Sequence, residues 1–175
     1  MTAPEFARPQ QIETIGELPR TLSIAADGGE RAALAQRFGL VAIDSLTATF
    51  AIRRDAAGIV ATGRVNASLV QACSVTGDPL SVTIDEPVAL RFIEAEVVDG
   101  DEIELSADAC DSVLYSGKTI DLGEAAAETM ALALDPFPRG PRAEAALREA
   151  GVLREEEAGP FGALAGLRQK LADQG

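Results

Sequence analysis

Histidine is absent from the 175-residue chain. Without it there is no Ser-His-Asp triad, no Cys-His pair and no imidazole ligand for zinc or iron. Tryptophan is absent too, and six Phe and one Tyr are the only aromatic residues. The chain is therefore poor in the flat rings on which unpaired bases stack. Its only lysines, Lys118 and Lys170, sit in no recognisable motif. Two cysteines, Cys73 and Cys110, fall short of the roughly four soft or imidazole ligands of a structural metal site. No stretch approaches the roughly 20 apolar residues that span a bilayer. The opening residues, Met1 to Pro9, carry neither an apolar export segment nor a basic run. A cytoplasmic protein with reduced thiols is the expectation, with no membrane association.

Other constellations fail on spacing. Gly28 and Gly29 match neither phosphate-loop pattern. The run Asp99-Gly100-Asp101-Glu102 lacks the ligand ladder of a calcium loop and reads as a tight turn. Cys73 has no basic sequence neighbour to activate it, so a buried or strand-borne thiol is expected. These readings leave no catalytic residue, no cofactor and no metal, and no enzymatic activity is expected.

What the chain does have is acid in one place. Residues 1–77 hold seven acids and seven bases, and residues 136–175 hold six of each. Residues 78–135 hold fifteen acids against Arg91 and Lys118, so the whole net charge of −13 belongs to that segment. Within it Glu94, Glu96, Asp99, Asp101, Glu102, Glu104, Asp108 and Asp111 follow one another with no base between. Such a run is most simply a solvated face. As a binding surface it repels phosphates over about 8 Å at physiological salt and attracts basic proteins. Glu94, Glu96, Asp99, Asp101, Glu102 and Glu104 are the candidate partner-binding residues. Direct nucleic-acid binding is disfavoured, because it rests on phosphate neutralisation by Lys and Arg.

Periodicity supplies the elements. Residues 20–25 alternate as a strand, and 30–38 form a helix with Ala33, Leu34 and Phe38 on one face and Gly39 at its end. Strands at 46–53 and 59–72 make a hairpin across 54–58, with a bulge or bend expected at Gly63. A strand at 80–93 carries Pro87, which calls for an edge position or a break. Asp99-Gly100 predicts a further hairpin, pairing Val97 with Ile103 and Ala95 with Leu105. Asp121 and Glu124 have capping-box spacing at the start of a helix over 122–134, stopped by Pro136. The segment 135–141 is extended. A short helix at 142–150 and an amphipathic segment at 161–171 (Phe161, Leu164, Leu167, Leu171) complete the chain. The expected fold is α+β: a curved, partly barrel-like antiparallel sheet of about five to seven strands with packed helices. Residues 1–139 form that domain, and 140–175 a helical, partly mobile tail.

Four stretches carry a resemblance: 63–76, around Gln71, Cys73, Val75 and Thr76; 120–125, around Asp121 and Leu122; 135–139, around Pro136, Pro138 and Arg139; and 159–164. In this order they resemble the YceD-like family of large ribosomal RNA subunit accumulation proteins, in its alphaproteobacterial form, over roughly residues 18–170. The resemblance implies a non-catalytic ribosome-biogenesis factor supporting accumulation of large-subunit ribosomal RNA. Many members carry a CxRC pair at the position of Cys73–Thr76 and a second cysteine cluster after the proline segment. Here only Cys73 is kept, and Arg139-Gly140-Pro141-Arg142 stands where the later cysteines fall. Resemblance and charge together point to a basic ribosomal protein, or a pre-ribosomal particle, as partner. The alternatives are an RNA-binding protein using Arg53, Arg54 and Arg64 of the neutral N-terminal half, and a purely structural or dimerising protein.

Overall fold

Leu46, Ala48, Phe50 and Ile52 are all buried and alternate with more exposed residues, the two-residue period of a strand with one face in a core. They belong to β3 of a computed structural model that describes residues 4–95 and 111–152. In chain order the elements are β1 (Pro9–Gln11), a 3-10 turn (Ile12–Thr14), β2 (Arg20–Ala25), α1 (Gly28–Phe38), β3 (Ala42–Asp55), β4 (Gly58–Ala72), β5 (Pro79–Glu94), β6 (Asp111–Tyr115), β7 (Thr119–Asp121), α2 (Leu122–Leu132) and α3 (Ala143–Glu149). Five strands form one sheet in the order β2-β3-β4-β5-β6, and β1 pairs with β7 in a separate two-stranded ladder. The fold is α+β, and the mostly antiparallel sheet is curved but not closed into a barrel. The described residues fall into two compact units, one of residues 4–71, 81–95 and 111–136, the other of 72–80 and 137–152.

The first unit holds the main core, in which Phe6, Leu34, Phe50, Leu69, Leu122 and Met130 are all fully buried. β3 and β4 are longer than their apolar patterns suggest and meet in a two-residue turn, with Asp55 paired to Gly58. The Asp55 carboxylate fixes that turn by accepting the Ala57 N–H at 2.9 Å and an Arg91 N–H at 2.7 Å. In the β3–β4 ladder Gly63 is not a bulge. The ladder runs in register through Phe50 and Gly63, and its one shift lies between Ile43 and Ser45. What requires glycine is close approach, since a Cβ there would lie 1.8 Å from the Thr49 carbonyl oxygen. β6 runs parallel to β5 and pairs only with Leu90–Glu94. Pro87 thus sits on a stretch of β5 whose outer edge has no strand neighbour among the described residues, as its missing donor requires.

Among the described residues, α1 and α2 both start at an aspartate. Asp27 caps α1 in a reciprocal box: its carboxylate accepts the Glu30 N–H at 2.9 Å, and Glu30 accepts the Asp27 N–H at 2.8 Å. Gly39 ends α1 in the left-handed region at φ 64°. At α2 the expected box is half made. Asp121 accepts the N–H groups of Gly123 and Glu124, but the Glu124 side chain turns to Arg37. Leu122, Ala126 and Met130 are fully buried at four-residue spacing, whereas the helix stops at Leu132, short of 134. The hairpin expected at Asp99-Gly100 and the amphipathic segment 161–171 lie outside the described residues.

Candidate functional site

Two features concentrate chemistry, a thiol-centred turn and a set of unpaired carboxylates. The turn belongs to the second unit and follows β4. The Cys73 N–H donates to the Asp78 carbonyl at 2.7 Å, and the Gly77 N–H donates back to the Cys73 carbonyl at 2.9 Å. Gly77, at φ 74°, makes the reversal possible. The proline segment closes on this loop: Ser74 N–H donates to the Pro138 carbonyl at 2.8 Å, and Gly140 N–H to the Cys73 Sγ at 3.3 Å. A Cβ on Gly140 would lie 2.9 Å from the tip of the Leu80 side chain, which would have to shift for any other residue to bring that N–H to the sulfur. Arg142 then forks onto Asp78 through Nε at 2.9 Å and through Nη2.

Cys73 is 3% exposed, as its sequence context suggested. Its chemistry was not anticipated. The Gly140 N–H foremost, followed by Thr76 and the backbone N–H of Val75, pulls its pKa down to about 6. Neutral donors accomplish what a nearby cation would otherwise do. The Thr76 hydroxyl, followed by Arg142, likewise holds the Asp78 carboxyl below its ordinary value.

Of the motif positions, Cys73, Val75, Thr76 and Pro138 meet at this turn, with Arg139 beside it. Gln71 ties the Asp135 carbonyl, just before Pro136, to β4 within the first unit, at 3.1 Å. Asp121 and Leu122 serve α2 instead, as cap and as core. The donor set at the turn does not fit a thiolate metal site. One sulfur faces an amide, a threonine and an arginine–aspartate pair, and the guanidinium would oppose any cation. Among the described residues no three His, Cys, Asp or Glu side chains converge.

Of the six candidate acids, Glu94 is exposed at the end of β5, and Glu96, Asp99, Asp101, Glu102 and Glu104 lie outside the described residues. Several other acids of the 78–135 segment are neutralised, Asp78 by Arg142, Asp85 by Arg64 and Glu124 by Arg37. Glu86, Glu94, Asp111 and Glu128 are exposed and make no ion pair with any described residue. The arginines considered for RNA are engaged and dispersed. Arg53 pairs with Asp55, Arg54 donates to the Ile12 carbonyl, and Arg64 pairs with Asp85 from opposite Thr49, four residues along β3 from Arg53.

A family model described as "Large ribosomal RNA subunit accumulation protein YceD" matches residues 61–168, more than half of the chain. The chain belongs to the YceD family. The match opens in β4 and takes in the thiol turn and α2, leaving β1, β2, α1 and the whole of β3 before it. The YceD description names an accumulation factor and no reaction. Comparison with curated proteins and with solved structures finds no match. No helix of the described residues is long and apolar enough to cross a membrane. Sequence reasoning missed Gly140, Arg142 and Asp78; the available signal was an acid two residues after Thr76 and an arginine in the segment that replaces the family's later cysteines.

Proposed function

We propose that this YceD-family protein works in the cytoplasm without catalysis, and supports accumulation of large-subunit ribosomal RNA by holding a basic ribosomal protein or assembly intermediate on its acidic segment. One observation carries the reading: the entire net charge of −13 falls within residues 78–135, and four of that segment's acids stand exposed without an ion pair among the described residues. An uncompensated field of this sign raises encounter rates with cationic partners and repels bare RNA. The family supports the large-subunit connection. The test is co-sedimentation with large-subunit precursors in sucrose gradients, comparing wild type with a variant carrying amides at Glu94, Glu96, Asp99, Asp101, Glu102 and Glu104. Association should be lost in the variant and should weaken with salt in the wild type. Undiminished association of the variant refutes the proposal.

A further inference from the structure

Resting on the reading above and placing it on the fold, we propose that the groove between β5, β6 and α2 is a docking site for a Lys/Arg-rich protein segment carrying an apolar anchor. The groove encloses about 480 Å³, within the roughly 300–1,000 Å³ of cavities that take a ligand. Its floor and wall are apolar: Val88 and Leu90 come from β5, Val113 from β6, Ala125 and Leu132 from α2. Leu132 is 87% exposed, a large aliphatic side chain that the described residues do not cover.

The rim is anionic from all three elements. Glu86 comes from β5, Asp111 from β6 and Glu128 from α2, each exposed, and no lysine or arginine among the described residues lines the groove. None of the three makes an ion pair among the described residues. Leu132 and Ala133 place the C-terminal end of α2 at the same opening, and that helix has no basic residue in its last turn. Its unbalanced carbonyl dipoles add negative potential to the carboxylates. An apolar floor ringed by carboxylates selects a cationic chain with an aliphatic side chain to bury. It rejects phosphate polymers.

The test is fluorescence anisotropy on the full chain with a labelled 14-residue peptide bearing Lys and Arg on one helical face and three Leu on the other. Glu86→Gln/Asp111→Asn/Glu128→Gln should weaken binding about tenfold, the loss of three rim charges. Leu132→Ser should weaken it about tenfold as well, the loss of one part-buried aliphatic contact. The same peptide with Ser for Leu should bind about tenfold less tightly. All of these side chains are exposed, so an unchanged urea midpoint should accompany the loss. Four outcomes overturn the proposal: no binding by the wild type, equal binding by either variant, equal binding of the Ser peptide, or an RNA 20-mer bound as tightly as the Leu peptide. If the groove variants also keep full co-sedimentation while the six-amide variant loses it, the groove is wrong and the acidic-segment reading stands. If neither set loses it, both fall.

Discussion

Arg37 grips Glu124 in a two-pronged pair, Nη2 to Oε1 at 2.6 Å and Nη1 to Oε2 at 2.9 Å, and so ties the last turn of α1 to the first turn of α2. The same guanidinium reaches Glu5 at 3.0 Å. Burial opposes the charge, but these carboxylates, Glu124 foremost, hold Arg37 above its ordinary pKa. Glu124→Gln is expected to cost about 1 kcal/mol, the upper end for a partly exposed bidentate pair. Arg37→Ala should cost more, because it also releases Glu5. A double-mutant cycle by urea denaturation should return a coupling of about 0.5–1 kcal/mol.

The two aspartate caps carry unequal loads. Asp121 Oδ1 accepts N–H groups from Arg8 at 2.8 Å, Gly123 at 2.9 Å and Glu124 at 3.2 Å, and so joins the N-terminal segment to α2. Asp121→Ala should destabilise by about 2 kcal/mol, at the top of the range for a lost cap. Asp27→Ala removes one accepted N–H, and about 1 kcal/mol is expected. Equal losses in chemical denaturation would show that the two further N–H groups accepted by Asp121 add nothing.

Gly63 and Gly16 make a matched pair. A methyl on Gly63 meets the Thr49 carbonyl oxygen at 1.8 Å, whereas on Gly16 it meets nothing within 4 Å. Gly63→Ala must push two backbones apart and should cost about 3 kcal/mol or more, the severe end of overpacking. Gly16→Ala should leave the melting temperature unchanged or slightly raised.

Much of this fold could be read from alternation alone. β2, β4 and the core face of β3 follow the two-residue period, and α2 follows Leu122, Ala126 and Met130. What escaped was decided by contacts made far along the chain. β1 is three residues long and is a strand only because Thr119–Asp121 lies opposite. The box Asp27-Gly28-Gly29-Glu30 has the same spacing as Asp121–Glu124, yet its glycines read as a break; the box assigned to Glu124 failed because Arg37 offered that side chain a stronger partner. The thiol turn was half legible. Its sequence marked a position, but the hydrogen bond from Gly140 joins residues 67 apart. The groove was not legible, since Glu86, Asp111 and Glu128 come from three separate elements.

Cys73 offers a titration in a clear window. Its folded pKa of about 6 lies below the roughly 8.5 of an unfolded thiol. The folded chain therefore holds fewer protons between those values, and stability rises with pH across them. The contribution is complete above about pH 8.5 and is lost as pH falls through 6. With no histidine in the chain, few groups titrate there. In a Cys110→Ser background, the urea midpoint should climb from pH 6 to 8.5, and Cys73→Ser should flatten that climb. A parallel shift of the two curves would contradict the low thiol pKa.

The ladder between β1 and β7 has a consequence for synthesis. Arg8 and its partner Asp121 are 113 positions apart, so at about 5–20 residues per second the two ends are translated roughly 6–23 s apart. Until then Phe6, sealed in the finished protein, has no cavity to enter. The front of the chain therefore waits unfastened while 113 further residues are read, and can dock only once the last third of the message has begun to be translated.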